Sequence, residues 1–137
     1  MQRLNVSVSR RILDAIHVSV EGESVSSSKL TQAVTELSGI FTKERDRLGI
    51  SYLVNSQLGT AYLQYFLPVN LAKIQLLLDE MPAPEADESF SVLDLGSGPG
   101  TGALAVLDWW HQRKPSNELS VMAIDKTATA LRQAQQL

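Results

Sequence analysis

Cysteine is absent from the 137 residues. With it go disulfide staples, zinc ribbons, iron–sulfur ligation and thiol catalysis within this stretch. Long apolar runs are absent too, since none approaches the roughly 18 residues that a membrane-spanning helix requires. A basic excess is also missing. The 12 Lys+Arg stand against 15 Asp+Glu, a net charge of −3, which argues against a generic nucleic-acid coat while still allowing a local basic face. What is present is ordinary for a soluble globular protein, with 44% hydrophobic and 20% charged residues. Collagen-like, coiled-coil-only and wholly disordered chains are thereby excluded, and the length suits a single domain.

The first 20 residues carry Arg3, Arg10 and Arg11 with Asp14 as their only acid. Ser9-Arg10-Arg11 looks like a twin-arginine signal, but His17, Glu21 and Glu23 interrupt any apolar region behind it. The expectation is a cytoplasmic protein with an intact N-terminus. If the Arg- and Ser-bearing start is instead an organellar transit peptide, the destination is the mitochondrial matrix.

Charge divides the chain. Residues 1–48 have a net of +1, residues 49–89 a net of −4, and residues 90–137 balance. The acidic, proline-bearing stretch 81–89 has the composition of a linker. Ahead of it the periodicity is helical. Ile12, Leu13, Ile16 and Val20 share a face after Ser9, a candidate N-cap. Leu30, Val34, Leu37 and Phe41 continue a second helix to Leu48, with Gly49 as its stop. A third helix starts near Asn55, and Pro68 should end or kink it. A fourth runs to Glu80 with Leu71, Ile74, Leu77 and Leu78 as its apolar side. Residues 1–80 thus read as a helical domain.

Beyond the linker the pattern changes. The runs 90–95 and 119–125 read as buried parallel strands. Between them lies a helix from Thr101 to about His111, with Leu104, Leu107 and Trp110 inward, and another helix begins at Ala128. Strand, glycine loop, helix, strand is a βαβ unit with a right-handed crossover. Two parallel strands leave hydrophobic faces open, so a fold larger than this chain is expected.

The sharpest signal is Val92-Leu-Asp94-Leu-Gly96-Ser-Gly98-Pro-Gly100-Thr-Gly102. Alternate glycines let the backbone turn tightly and approach a ligand, and the helix behind presents its N–H groups and positive dipole end. Thr101-Gly102-Ala103 stands where a Walker loop needs Lys-Ser/Thr, so a P-loop is rejected. Two cofactors remain. Gly98 to Ala103 satisfies the dinucleotide pattern G-x-G-x-x-A, whereas Asp94 to Gly100 fits the acidic-x-Gly-x-Gly-x-Gly loop of an S-adenosylmethionine site. A carboxylate two residues before the first glycine repels a pyrophosphate and suits the cationic methionine moiety, so Asp94 discriminates. Asp125, at the end of the next strand, can accept from both ribose hydroxyls of either cofactor.

Tyr52-Leu-Val-Asn-Ser-Gln-Leu-Gly-Thr-Ala-Tyr62-Leu-Gln-Tyr65-Phe-Leu-Pro68-Val-Asn70-Leu-Ala-Lys73, followed by the glycine loop, resembles the small-ribosomal-subunit methyltransferase-like family of bacteria and mitochondria. The resemblance covers roughly residues 43–137. It implies an α/β architecture: a helical N-terminal domain over 1–80, a linker over 81–89, and over 90–137 the first strand–helix–strand–helix part of a Rossmann-like class I methyltransferase domain. The chain would then be the N-terminal portion of a longer protein. It implies S-adenosylmethionine as cofactor, with Asp94, Gly96, Ser97, Gly98, Gly100 and Asp125 as its binding residues, and the small ribosomal subunit or its rRNA as partner. Some family members carry a cysteine cluster for a metal centre; here there is none, and no metal site is assigned. A non-catalytic ribosome assembly or RNA-binding factor that keeps the fold is the alternative, and an NAD-linked oxidoreductase the third reading.

No catalytic residue emerges. Methyl transfer is mostly positioning, and a base is optional. His17 and His111 read as solvated helix residues, and Trp109 and Trp110 as a core anchor and an edge residue. Tyr52, Tyr62, Tyr65 and Phe66 could stack on RNA bases, but their helical spacing favours packing against the glycine-loop unit. The mixed run 43–47 reads as a solvated face, and Arg3, Arg10, Arg11 and Lys29 are the only set able to contact phosphates.

Overall fold

The computed structural model describes residues 8–21, 25–43, 52–82, 88–113 and 116–137. Helix α1 spans Arg10–Val20, capped by the Ser9 hydroxyl, which accepts from the Ile12 N–H. Ile12, Ile16 and Val20 are buried at a spacing of four, while Leu13, one residue round the helix, is largely exposed. Helix α2 spans Ser27–Thr42 and buries Ala33, Leu37 and Ile40. Its expected continuation to Leu48 and stop at Gly49 lie outside the described residues, as do residues 83–87 of the expected linker.

Asn55 caps helix α3 (Ser56–Ala61), its side-chain oxygen accepting from the Gln57 and Leu58 N–H groups at 3.0 and 3.1 Å. Pro68 does not end the helical run that follows. A π turn over Tyr62–Phe66 leads directly into helix α4 (Leu67–Asp79), with Pro68 in its first turn. The Leu67 N–H bonds to the Tyr62 carbonyl five residues back, a wider turn than the α-helix, and proline is tolerated where its missing N–H has no helical partner to lose.

Helix α4 lies along helix α5 (Thr101–Arg113), and α5 joins the helical core through Ala105. The inward face of α5 differs from the sequence expectation by about one residue. Ala105, Asp108 and Trp109 are buried, and Leu107 is 47% exposed. On α4, Leu77 is likewise exposed and Gln75 is buried. The physical reason is mutual satisfaction of polar groups. The Gln75 Nε2 donates to Asp108 Oδ2 at 2.9 Å and to the Ala105 carbonyl, and the Ser9 N–H and Gln112 Nε2 donate to the same Asp108 oxygen. Asp108 therefore ties the start of α1 to α5, a role that hydrophobic periodicity does not register.

Strands β1 (Phe90–Leu95) and β2 (Leu119–Ile124) pair in parallel, from Phe90 opposite Leu119 to Leu95 opposite Ile124. Val92 and Val121 pack on Leu78, Val106 and Trp109. The strands are covered on one face only: Leu95 is 71% and Met122 61% exposed. The strands expected to be buried are thus buried on one side, and the open face is the one expected of two parallel strands alone, because α4 and α5 lie on the same side of the sheet. Trp109 is the core anchor expected, its Nε1 donating to Asp79 Oδ1 at 2.7 Å, and Trp110 sits at the edge, stacked on Phe90. The Arg113 guanidinium bonds to the same Asp79 oxygen and lies 4.4 Å from the Trp109 ring centre. Helix α6 (Ala128–Ala134) follows β2. Among the described residues no helix is long and apolar enough to cross a membrane.

Candidate functional site

The strand-to-helix turn 96–100 is held from below by β2. The N–H groups of Gly96 and Ser97 both donate to the Ile124 carbonyl, at 2.8 and 3.0 Å, and the Gly100 N–H closes back on Ser97. Gly96, Gly98 and Gly100 have φ of +71°, +54° and +83°, a region in which an L side chain is strained. Gly100 is confined a second time, since a Cβ there would stand 3.0 Å from the Ala134 Cβ of α6.

Asp94 shares the pleat side of Phe90 and Val92, toward the helices. Its Oδ2 accepts from the Ala103 N–H at 2.9 Å, capping the first turn of α5. This contact explains Gly102: a Cβ there would meet Asp94 Oδ2 at 2.6 Å. Asp125, just beyond β2, reaches the other flank of the turn. Its Oδ2 accepts from the Gly98 N–H at 2.9 Å and its Oδ1 from the Thr127 N–H at 2.7 Å. Burial pushes the Asp125 carboxyl up, but the Thr127 and Gly98 N–H groups, with the Thr127 hydroxyl and Lys126, outweigh it and hold it below the usual carboxylate range.

All six residues expected at the cofactor site are thus brought to one turn, with the two carboxylates bracing it. Each carboxylate oxygen has two lone pairs, so both acids keep acceptor capacity beyond these backbone bonds. Ser97 is buried, and its Oγ has no hydrogen-bond partner among the described residues. A buried hydroxyl left unpaired costs about 1–3 kcal/mol. A polar partner brought to the turn would relieve that cost.

Two of the aromatics whose spacing favoured packing against the glycine-loop unit reach the turn from the helical part, and sequence reasoning missed that their hydroxyls do so. The Tyr62 hydroxyl lies 2.8 Å from Thr101 Oγ1 at the start of α5. Tyr52, in a 3-10 turn over Tyr52–Val54, places its hydroxyl 3.9 Å from where a Gly98 Cβ would be, with its ring against Tyr62. Burial, then Tyr62 and the Asp125 charge, hold the Tyr52 phenol well above its usual range. Burial does the same for Tyr62, against the opposing hydrogen bonds from Thr101 and Tyr52. The sequence signal for this pair was the aromatic spacing, which identified packing against the glycine-loop unit but not the hydroxyl contacts.

Tyr52 and Tyr62 also border a groove of about 1090 Å³ with Phe41, Tyr65, Phe66 and Lys73; no residue of the glycine turn lines it. His17 and His111 are exposed, as are Arg10, Arg11 and Lys29, with Arg10 paired to Asp14. Arg3 and residues 44–47 lie outside the described residues. No family model matches the chain, nor does any curated protein or solved structure.

Proposed function

We propose that the glycine turn binds S-adenosylmethionine and that the protein is a methyltransferase-like component acting at the small ribosomal subunit or its rRNA. The carrying observation is one turn with three left-handed glycines between a strand-end carboxylate at Asp94 and a second carboxylate at Asp125. In this reading β1, α5, β2 and α6 open a Rossmann-like sheet. Asp94 lies where the methionine ammonium would need an acceptor, and its charge disfavours a dinucleotide pyrophosphate. Asp125 serves the ribose hydroxyls. The buried Ser97 hydroxyl gains a partner. The bound cofactor supplies an electrophilic methyl group on a sulfonium. The chain's own residues hold and orient it, and the positive end of α5, already partly compensated by Asp94, closes one wall. The ribosomal assignment rests on the resemblance of the segment 52–73 and its distance from the turn.

Titration calorimetry of S-adenosylmethionine into the protein tests this. Binding that Asp94→Ala weakens at least tenfold supports it; no binding, or binding indifferent to Asp94→Ala, removes the cofactor. One observation favours a second reading. Both carboxylates already brace backbone N–H groups, so the turn can persist as the scaffold of a non-catalytic assembly factor. Co-sedimentation with small subunits that survives Asp94→Ala, without cofactor binding, selects that reading.

A further inference from the structure

We propose that Tyr52 is a ligand-binding residue of the glycine turn, its hydroxyl accepting a hydrogen bond from a ribose hydroxyl of an adenosine-type ligand beside Asp125. This rests on the cofactor reading above and extends it to a residue 46 positions upstream of Gly98, outside the strand–turn–helix motif.

Three observations converge. First, position: the Tyr52 hydroxyl stands 3.9 Å from the site of a Gly98 Cβ, over the glycine whose N–H is held by Asp125. A ligand lying on Gly98 meets this oxygen. Second, anchoring: the Tyr52 ring meets Phe41 edge-on at 5.4 Å and Tyr62 at 5.3 Å between centroids. The ring is therefore fixed by packing, which does not require the hydroxyl. Third, polarity: the hydroxyl of the neighbouring Tyr62 is already paired with Thr101 Oγ1 at 2.8 Å. A phenol has one proton and two lone pairs. Tyr52 therefore offers lone pairs to the turn, next to the Asp125 carboxylate, which only accepts. Two neighbouring acceptors complement a pair of vicinal hydroxyl donors. They repel phosphate oxygens, in keeping with the selection already made by Asp94.

Tyr52→Phe isolates the claim, because it keeps the ring and removes one oxygen. The measurement is calorimetric affinity for S-adenosylhomocysteine and for its 2′-deoxy and 3′-deoxy analogues, on wild type and variant, with thermal melts as a folding control. A single hydrogen bond predicts about a three- to tenfold loss of affinity for S-adenosylhomocysteine. That loss should vanish for one of the two deoxy analogues, which lacks the hydroxyl that Tyr52 serves. An equal loss for all three ligands would show that Tyr52 acts through packing and overturns the proposal. No loss for any of them overturns it too, and leaves the cofactor reading standing. Failure of the wild type to bind S-adenosylhomocysteine removes both.

Discussion

Gly102→Ala should destabilise the protein, although in an exposed helix this exchange is favourable. Alanine outranks glycine by about 1 kcal/mol within a helix, and by somewhat less in a first turn. Here the three atoms nearest a new Cβ all belong to the Asp94 carboxyl group, at 2.6, 2.9 and 3.1 Å. The carboxylate must swing away, and it surrenders the 2.9 Å bond from the Ala103 N–H. Losing such a cap costs about 0.5–2 kcal/mol, and the lost charge–dipole attraction about 0.3–1 kcal/mol more. Net of the propensity gain, Gly102→Ala should cost about 1 kcal/mol, a fall in Tm of about 4 °C for a chain of this size. In an Asp94→Ala background the obstacle is gone, and the same substitution should stabilise by about 0.5–1 kcal/mol. The assay is urea and thermal denaturation followed by circular dichroism on the four members of this cycle. A stabilising Gly102→Ala in the wild-type background would refute the reasoning, because Asp94 would then not occupy the space above Gly102.

Gly96→Ala, with nothing within 4 Å of its new Cβ but φ of +71°, should cost about 1–2 kcal/mol of backbone strain alone. Gly100→Ala should cost more in the same melts, since it adds the 3.0 Å approach to Ala134. Asp108→Ala should destabilise by about 1–3 kcal/mol, as it removes the acceptor of the Ser9 N–H and of the buried Gln75 amide. Burial raises the Asp108 carboxyl, but the Ser9, Gln75 and Gln112 hydrogen bonds outweigh it, and the folded value is depressed. Its stabilisation is therefore complete above the unfolded carboxylate value, about 3.9, and is lost as pH falls through the depressed folded value. Urea midpoints measured from pH 7 down to pH 2 should drop less steeply in Asp108→Asn than in wild type. Tyr62→Phe should cost about 1 kcal/mol in thermal melts through the lost Thr101 bond.

Local chemistry was legible wherever one residue acts on its sequence neighbours. Ser9 and Asn55 cap the helices they precede, and the glycines of the turn adopt the left-handed backbone that their spacing announces. Legibility failed where a side chain's partner is remote. The burial of Asp108 and Gln75 comes with a hydrogen bond across 33 residues that no local pattern marks, and Leu77 and Leu107, read as apolar-side positions, are exposed instead. Pro68 read as an end or a kink because the π turn that accommodates it has no compositional mark.

By itself, the sequence determined the βαβ order, the turn between its first strand and helix, and the two acids that flank that turn, since strand pleat, glycine φ and capping are short-range effects. Only the tertiary structure decided which way those acids point, that Gly102 makes room for Asp94, and that the Tyr52 and Tyr62 hydroxyls reach Gly98 and Thr101. Those outcomes follow from how α4, α5 and the aromatic cluster settle against one another, and the space left between packed elements is written in no single segment.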